Sequence, residues 1–186
     1  MPEWRTPDPV ALHASAQPNK IACIDLSSGR QWDYRSLDRA IARAVTHLAV
    51  DLGIEPGQRI ATIARNSADL LILQQAVMRI GAIFVPVNWR LSRSEQADIL
   101  DDCAPVLLIT DEDPATMTLP RNCRPRGSAD VCKAIESARE ASALPGPPAD
   151  APIVILYTSG TSGRPKGVMI TGRNIFSTSV NFGVLG

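Results

Sequence analysis

The sequence has few residues with which to hold a metal. Its two histidines, His13 and His47, lie far apart in the chain, and its four cysteines contain no C-x-x-C pair. A structural zinc site needs four such ligands at short spacings, so we expect none here. The cysteines are better explained as buried or idle thiols of a protein in a reducing compartment.

Long apolar runs and an excess of either charge are also missing. Stretches such as Leu70–Leu73 are far shorter than the roughly 20 residues that span a bilayer, and the N-terminal MPEWRTPDP has no apolar signal core. The 19 basic residues balance the 19 acidic ones, which argues against a nucleic-acid or anionic-membrane surface. We therefore predict a cytoplasmic protein with no membrane span and no nucleic-acid partner.

What is present fits a single domain of 186 residues, in which hydrophobic residues make up 45% and aromatic residues only 4%, so that the core is mostly aliphatic. The acids are unevenly distributed: residues 151–186 contain none, but carry Arg164, Lys166 and Arg173. An acid-free cationic segment suits a small anionic ligand, although a window this short can also lose its acids by chance.

The hydrophobic pattern predicts an α/β fold with a layered, largely parallel sheet flanked by helices. Apolar runs read as buried strands and alternate with segments of helical periodicity. Residues 20–26 and 31–34 read as a hairpin, residues 111–127 as a loop and residues 142–152 as a linker. The expected strands are Arg59–Ala64, Ala82–Val87, Val106–Thr110 and Ile153–Tyr157, and the expected helices are 10–16, 36–52, 68–80, 92–103 and 129–141.

The last predicted strand runs into YTSGTSGRPKGV (157–168), which has the composition of a polyphosphate-binding loop. Glycines permit positive φ and close approach to a ligand, consecutive N–H groups can converge on an anion, and a lysine suits phosphate oxygens. The stretch is neither a Walker A loop nor G-x-G-x-x-G, and VMIT (168–171) reads as extended. A merely flexible turn is the alternative. The residues concerned are Gly160, Gly163, Gly167, Thr158, Ser159, Thr161, Ser162 and Lys166.

This stretch resembles the phosphate-binding signature of the adenylate-forming enzymes, which include acyl-CoA synthetases, aryl-CoA ligases, peptide-synthetase adenylation domains and luciferases. Upstream, IEPGQRI (54–60), Asn66-Ser67 and RIGAIFVPVN (79–88) follow the order and spacing typical of the N-terminal part of that family. VNWRLS (87–92) is most similar to the fatty-acyl and aryl acid–CoA ligases. The resemblance covers nearly the whole chain and implies an incomplete N-terminal part of the adenylate-forming fold.

The resemblance also implies a reaction. In the family a carboxylic acid attacks the α-phosphate of ATP to give an acyl-adenylate, and a thiol, usually coenzyme A, then displaces AMP; Mg²⁺ accompanies the nucleotide. The implied partners are the acid and ATP, with a homodimer left open. No catalytic residue is carried over. Carried over as the phosphate loop are Thr158, Ser159, Gly160, Thr161, Ser162, Gly163 and Lys166, with Thr161 near the metal.

The sequence departs from the family pattern at two positions and lacks several of its parts. Ser162 replaces a more usual threonine, and Gly172 stands where many members have histidine. Because the segments for adenine, ribose and the C-terminal lysine are absent, we expect a truncated chain, inactive alone, divided into residues 1–141, a linker at 142–152 and a phosphate-loop segment at 153–186. A non-catalytic nucleotide-binding or remnant module, or a fragment of a peptide-synthetase adenylation domain, remain as alternatives.

Other candidate residues have plainer explanations. Asp101-Asp102 and residues 111–113 could be metal carboxylates, but solvated helix and loop ends are the expected state. His47 lies beside the apolar stripe of its predicted helix and is expected at the boundary of the buried face. Trp89 and Arg90 could contact a partner, with packing near the sheet edge as the default.

Overall fold

In the computed structural model, residues 4–141, 144–158 and 165–185 are described. The predicted alternation of strands and helices is confirmed, and the predicted N-terminal hairpin forms a separate antiparallel pair. The strands are β1 (Ile21–Ile24), β2 (Gln31–Asp33), β3 (Arg59–Ile63), β4 (Ile83–Pro86), β5 (Leu107–Thr110), β6 (Arg124–Gly127), β7 (Pro152–Thr158) and β8 (Lys166–Thr171).

The helices start and stop where the sequence supplies caps. Ser67 accepts a hydrogen bond from Leu70 N, Ser92 and Glu95 form a reciprocal capping box, and Gly81 ends its helix in the left-handed conformation. In the described part of the chain, no helix is long and apolar enough to cross a membrane. The helices are α1 (Pro9–Ala16), α2 (Tyr34–Thr46), α3 (Ala68–Ile80), α4 (Arg93–Cys103), α5 (Ser128–Ser137) and α6 (Gly172–Leu185).

Six strands form the central sheet in the order β6-β5-β3-β4-β7-β8. The first five are parallel to one another, and β8 runs antiparallel to β7. This confirms the mixed, mostly parallel sheet expected from the sequence. Since both faces are covered, neighbouring residues of one strand enter different cores: Ile60 packs with α2, α3 and α5, whereas Ala61 packs with α4.

Three segments differ from the sequence prediction by more than a residue or two. The expected loop at 111–127 contains a 3₁₀ turn at Pro114–Thr116 and the edge strand β6. β6 reads RPRG, which has no strand-like pattern, and it becomes a strand because β5 offers a free edge. The helix expected at 36–52 changes to a π-helical turn at His47–Asp51, and the one expected at 129–141 ends at Ser137.

The buried carboxylate of Asp25 joins the N-terminal hairpin to the start of α3. It is 7% exposed and accepts hydrogen bonds from Ala68 N, from Ser27 N and Oγ and from Ser28 N, at 2.6–3.0 Å. The bond from Ala68 is the largest of the effects that hold the pKa of Asp25 well below its usual range. A negative charge at a helix N-terminus is favourable, so Asp25 stabilises the point where α3 leaves the sheet.

We expect Asp25→Asn to lower the urea midpoint at pH 7, and the difference from the wild type to shrink as the pH falls below about 4. The folded pKa is depressed, so the stabilisation is complete above the unfolded pKa and is lost as the pH falls towards the folded one. Urea titrations from pH 7 to pH 2.5 measure this. Asp98→Asn, at an exposed site on α4, is the matched control; an equal pH dependence in both variants would contradict the assignment.

Candidate active site

The stretch predicted to bind phosphate, residues 157–168, begins in β7 and ends in β8, which are antiparallel. The predicted extended segment after the loop is confirmed as β8, and Thr158 at the end of β7 pairs with Lys166 at the start of β8. Both residues are exposed. Thr158, Lys166 and Gly167 are the predicted loop residues that the structure describes. The others, including the predicted metal contact Thr161, lie outside the described residues, and they are Ser159, Gly160, Thr161, Ser162 and Gly163.

The end of β7, where β8 begins beside it, lies at the carboxyl edge of the parallel strands. β7 runs parallel to β4, which is parallel to β3, so residues 159–164 follow β7 at the edge where β3 and β4 also end. Ligands of open α/β sheets bind at this edge. The segment after β7 leads into the antiparallel strand β8, and not into the helix N-terminus that supports phosphate in Walker and Rossmann motifs.

Lys166 and Arg173 differ in how their charges are used. No ion pair of Lys166 is found within the described ranges, whereas Arg173 forms two hydrogen bonds to Asp150, at 2.5 and 2.8 Å, and lies over the ring of Trp4. Arg173, one of the cations of the acid-free segment, is therefore engaged by an acid from outside that segment. Lys166, beside the loop, is the described cation of the segment that is free to meet a ligand.

Gly167 serves a different purpose from the one the sequence predicted. The sequence places it among the glycines that permit a positive φ and close approach to a ligand, but it is a strand residue and is absent from the described glycines with positive φ. A Cβ on Gly167 would lie 2.9 Å from Ile155 Cγ2 and 3.1 Å from Tyr157 Cζ. The glycine is required because neighbouring side chains occupy the space above its backbone.

The start of α6 explains the imperfect family match at Thr171–Asn174. Thr171 N donates to Asn174 Oδ1 at 2.9 Å, and Asn174 N donates to Thr171 Oγ1 at 3.2 Å, a reciprocal pair like that of a capping box. These bonds do not involve residue 172. A Cβ on Gly172 would overlap Thr6 Oγ1 and lie 2.8 Å from Thr6 Cβ, so the N-terminal segment occupies the space of a side chain here.

A second cationic feature lies at the same edge. The guanidinium groups of Arg65 and Arg90 lie 4.8 and 4.3 Å from the ring centre of Trp89, and a cavity of about 390 Å³ opens beside Trp89 and Arg65. Trp89 also packs against the core on the α4 side, so the expected packing role is confirmed. The sequence indicates Arg65 and Arg90 only through their positions after β3 and β4. Those positions alone do not predict that both side chains lie over the Trp89 ring.

The acidic candidates form no metal site. Within the described residues there is no group of three or more His, Cys, Asp or Glu side chains that could hold a metal ion. Asp111 accepts from Arg65 N at 2.8 Å and from Ser128 Oγ, and Glu112 pairs with Arg93. Asp102 accepts from the Tyr157 hydroxyl, a contact that sequence reasoning missed because it joins α4 to β7.

The histidines and cysteines also have structural explanations. His47 is 9% exposed, and its Nδ1 lies 3.0 Å from Asp51 Oδ2, four residues on. The cysteines are free thiols. Burial raises the pKa of Cys103 to about 12 and that of Cys132 to about 11, which disfavours the nucleophilic thiolate. The expectation of unreactive buried thiols agrees with these pKa values.

The sheet order, the hairpin at its carboxyl edge and the surrounding helices define the N-terminal subdomain of an adenylate-forming enzyme. The chain belongs to the AMP-binding enzyme family, whose sequence profile matches residues 10–184. The family resemblance predicted from the loop is thereby confirmed.

Related proteins include ligases for several kinds of acid. The chain is 31% identical over 173 residues to the fatty acid–[acyl-carrier-protein] ligase ScoC of Streptomyces coeruleorubidus, covering 90% of this chain and 33% of ScoC. It is 31% identical over 180 residues to a 2-succinylbenzoate–CoA ligase of Bacillus cereus, covering 97% and 34% respectively. The chain thus spans about a third of the length of these relatives.

Solved structures agree with the fold. The N-terminal subdomain of Klebsiella oxytoca NpsA, in complex with 3-hydroxybenzoyl-AMSN, superposes with a TM-score of 0.79 at 27% identity, covering 91% of this chain and 41% of that one. A Mycobacterium tuberculosis fatty acyl CoA synthetase gives 0.75 at 27% identity, covering 88% and 34%. The expected incomplete N-terminal part of the adenylate-forming fold is confirmed by these neighbours.

Proposed function

We propose that this chain supplies the ATP-phosphate-binding part of an enzyme that activates a carboxylic acid, fatty or aryl, to an acyl-adenylate and transfers the acyl group to coenzyme A. The observation that carries the proposal is the pairing of Thr158 with Lys166 at the carboxyl edge of the sheet. This pairing places a hydroxyl and a cation on either side of residues 159–164 in the chain. Family membership and the CoA ligases among the relatives support the reaction.

The described residues fit an anionic polyphosphate. Lys166 is exposed and has no ion-pair partner within the described ranges, so its charge is available to phosphate oxygens. The loop supplies N–H and hydroxyl donors, and we propose Thr161 as the hydroxyl nearest Mg²⁺. The phosphate-binding residues that we propose are Thr158, Ser159, Gly160, Thr161, Ser162, Gly163 and Lys166.

The chemistry explains why a cationic loop is needed. An anionic carboxylate must approach the anionic α-phosphate, and their repulsion falls when the phosphates are held by positive charge and N–H dipoles. Lys166 and the loop would hold the β- and γ-phosphates in place, so that the α-phosphate faces the acid. Mg²⁺, bound with the nucleotide, would neutralise further phosphate charge.

A carrier-protein thiol is the second candidate acceptor. ScoC is a ligase for an acyl-carrier protein, and an NpsA neighbour was solved as an adenylation–PCP di-domain. These relatives favour a peptide-synthetase or carrier-protein context, whereas the 2-succinylbenzoate and indoleacetate ligases favour coenzyme A. A protein containing this chain that forms acyl-CoA from a preformed acyl-adenylate, but does not load a carrier protein, would support coenzyme A.

We expect Lys166→Ala to weaken ATP·Mg²⁺ binding by this chain about 10- to 100-fold, the range for a lost hydrogen bond to a charged group. Calorimetry gives the dissociation constants, with Lys133→Ala, an exposed lysine on α5, as the charge-matched control. No binding at millimolar ATP would favour a non-catalytic remnant.

We also expect this chain alone to give no ATP–pyrophosphate exchange with fatty or aromatic acids, because it covers about a third of the length of its relatives. Robust exchange would overturn the proposal that it supplies only a part of the enzyme. The assay uses a panel of fatty and aromatic acids at saturating ATP and Mg²⁺, with the Lys166→Ala variant tested in parallel.

A further inference from the structure

Tyr157 lies in the β7–β8 hairpin, one residue pair before the last pair of the two strands. It is paired with Gly167, and the next pair towards the loop is Thr158 with Lys166. The missing side chain of Gly167 leaves room for the Tyr157 ring, whose Cζ and hydroxyl oxygen would lie 3.1 and 3.3 Å from a Cβ at that position. An aromatic ring that covers a cross-strand glycine protects the backbone of both strands.

The Tyr157 hydroxyl reaches a different element. It donates a hydrogen bond to Asp102 Oδ2, near the end of α4. A carboxylate in the last turn is unfavourable to the helix dipole, so a donor aimed at Asp102 offsets a local cost. Burial of the ring and then the bond to Asp102 raise the pKa of Tyr157 above its usual value, which keeps the hydroxyl protonated as a donor.

α4 is a firm attachment point for this contact. Its residues Ile99, Leu100 and Cys103 are at most 5% exposed and pack in the core on that face of the sheet. β8, by contrast, is the last strand of the described sheet and pairs only with β7 there. The bond from Tyr157 to Asp102 therefore joins the hairpin at the edge of the sheet to a helix fixed by the core.

We propose that Tyr157, Gly167 and Asp102 form a clamp that positions Thr158 and Lys166 for the phosphates of ATP. Side chains alternate along a strand, so a one-residue slip between β7 and β8 would move Lys166 to the opposite face. The clamp prevents such a slip one pair away from the loop. These three are positioning residues, and their effect on ATP rests on the function proposed above.

The test compares variants that keep the ring. Tyr157→Phe removes only the hydroxyl, Asp102→Asn keeps an acceptor oxygen, and Asp102→Ala removes it. Asp101→Ala, an exposed neighbouring carboxylate on the same helix end, is the matched control. We expect amide hydrogen exchange in β7 and β8 to rise about tenfold in Tyr157→Phe and Asp102→Ala, with Asp102→Asn and Asp101→Ala close to the wild type.

Two further readouts separate positioning from general destabilisation. Exchange at the β5 amides, which lie between β6 and β3 on the side of the sheet away from the hairpin, should stay within about twofold of the wild type. ATP affinity should fall about three- to tenfold in Tyr157→Phe and Asp102→Ala, and Asp102→Asn should restore it. Gly167→Ala, which places a methyl group against the ring, should have the same effect on exchange in β7 and β8.

Three results would overturn the clamp. One is unchanged exchange in β7 and β8 in both Tyr157→Phe and Asp102→Ala. Another is an equal effect of Asp101→Ala and Asp102→Ala. The third is faster exchange with unchanged ATP affinity in a chain that binds ATP. If the wild-type chain binds no ATP, the phosphate proposal fails, while the exchange measurements still decide whether the clamp holds the hairpin.

Discussion

Gly172→Ala is expected to lower the free energy of unfolding by about 1–3 kcal/mol, the range for overpacking a filled site. The added methyl group would overlap Thr6 Oγ1 and lie 2.8 Å from both Thr6 Cβ and Thr6 Cγ2. Thr6 is held in place because its amide donates to Pro147 O at 3.0 Å. Either the N-terminal segment moves away or the start of α6 shifts, and both lose packing.

The larger Gly172→His, which introduces the residue that many family members carry at this position, should be at least as destabilising. Urea unfolding measures the free energy, and amide exchange of Thr6 and Ala149 reports whether the N-terminal segment has detached, because Ala149 N donates to Trp4 O at 2.9 Å. Ser177→Ala, on the exposed surface of α6, should stay within about 0.5 kcal/mol of the wild type.

A second substitution, Thr6→Ala, tests whether overlap with Thr6 causes the loss of stability expected in Gly172→Ala. Thr6→Ala removes two of the three closest atoms, and its Oγ1 is buried without a hydrogen-bond partner, so this change alone should cost little. The free energy of unfolding of the double variant Thr6→Ala/Gly172→Ala should exceed that of Gly172→Ala by about 1 kcal/mol or more. A coupling of this size is typical of residues in contact. Strictly additive effects would show that the strain at Gly172 has another source.

Local patterns predicted most of this fold. The caps Ser67 and Ser92 and the stop at Gly81 lie next to the helices they delimit, so the sequence places α3 and α4 with little error. The strand–loop–strand setting of the phosphate loop could be predicted for the same reason. β6 could not be predicted, because its sequence RPRG has no strand-like pattern of its own and pairs only where β5 offers an edge.

The candidate site was predictable in composition but not in contacts. Glycine is needed at position 167 because the Tyr157 ring of the paired strand occupies the space of a side chain. Glycine fits at position 172 because Thr6, which is distant in sequence, occupies that space there. Arg173 is one of the cations of the acid-free segment in the sequence, but in the fold it pairs with Asp150. Residue type indicates what a segment can bind, whereas the fold decides which groups are left to bind it.

Phe84→Ala is expected to lower the free energy of unfolding by about 3–5 kcal/mol, as for other buried phenylalanines. Phe84 is 3% exposed in a core that is otherwise aliphatic. On β4 it pairs with Ile60 on one side and Val154 on the other, so its side chain packs where three strands meet. The aliphatic neighbours cannot fill a cavity of that size by rotamer changes alone.

The position of Phe84 also predicts where the structure loosens. Within the described residues the hairpin of β7 and β8 joins the sheet through β4, at the pair Phe84–Val154. We therefore expect Phe84→Ala to increase amide exchange in β7 and β8 more than in β5 and β6, and to weaken any ATP binding with it. Urea unfolding and residue-resolved exchange measure the two effects.

Two comparisons make this prediction specific. Phe84→Leu keeps most of the buried volume and should cost less than half as much as the alanine variant, whereas Leu26→Ala, at a leucine that is 93% exposed, should change the free energy by less than about 0.5 kcal/mol. If Phe84→Ala opened all strands equally, the hairpin would be an integral part of one cooperative unit. Thr158 and Lys166 would then owe their positions to the whole sheet and not to the attachment of the hairpin through β4.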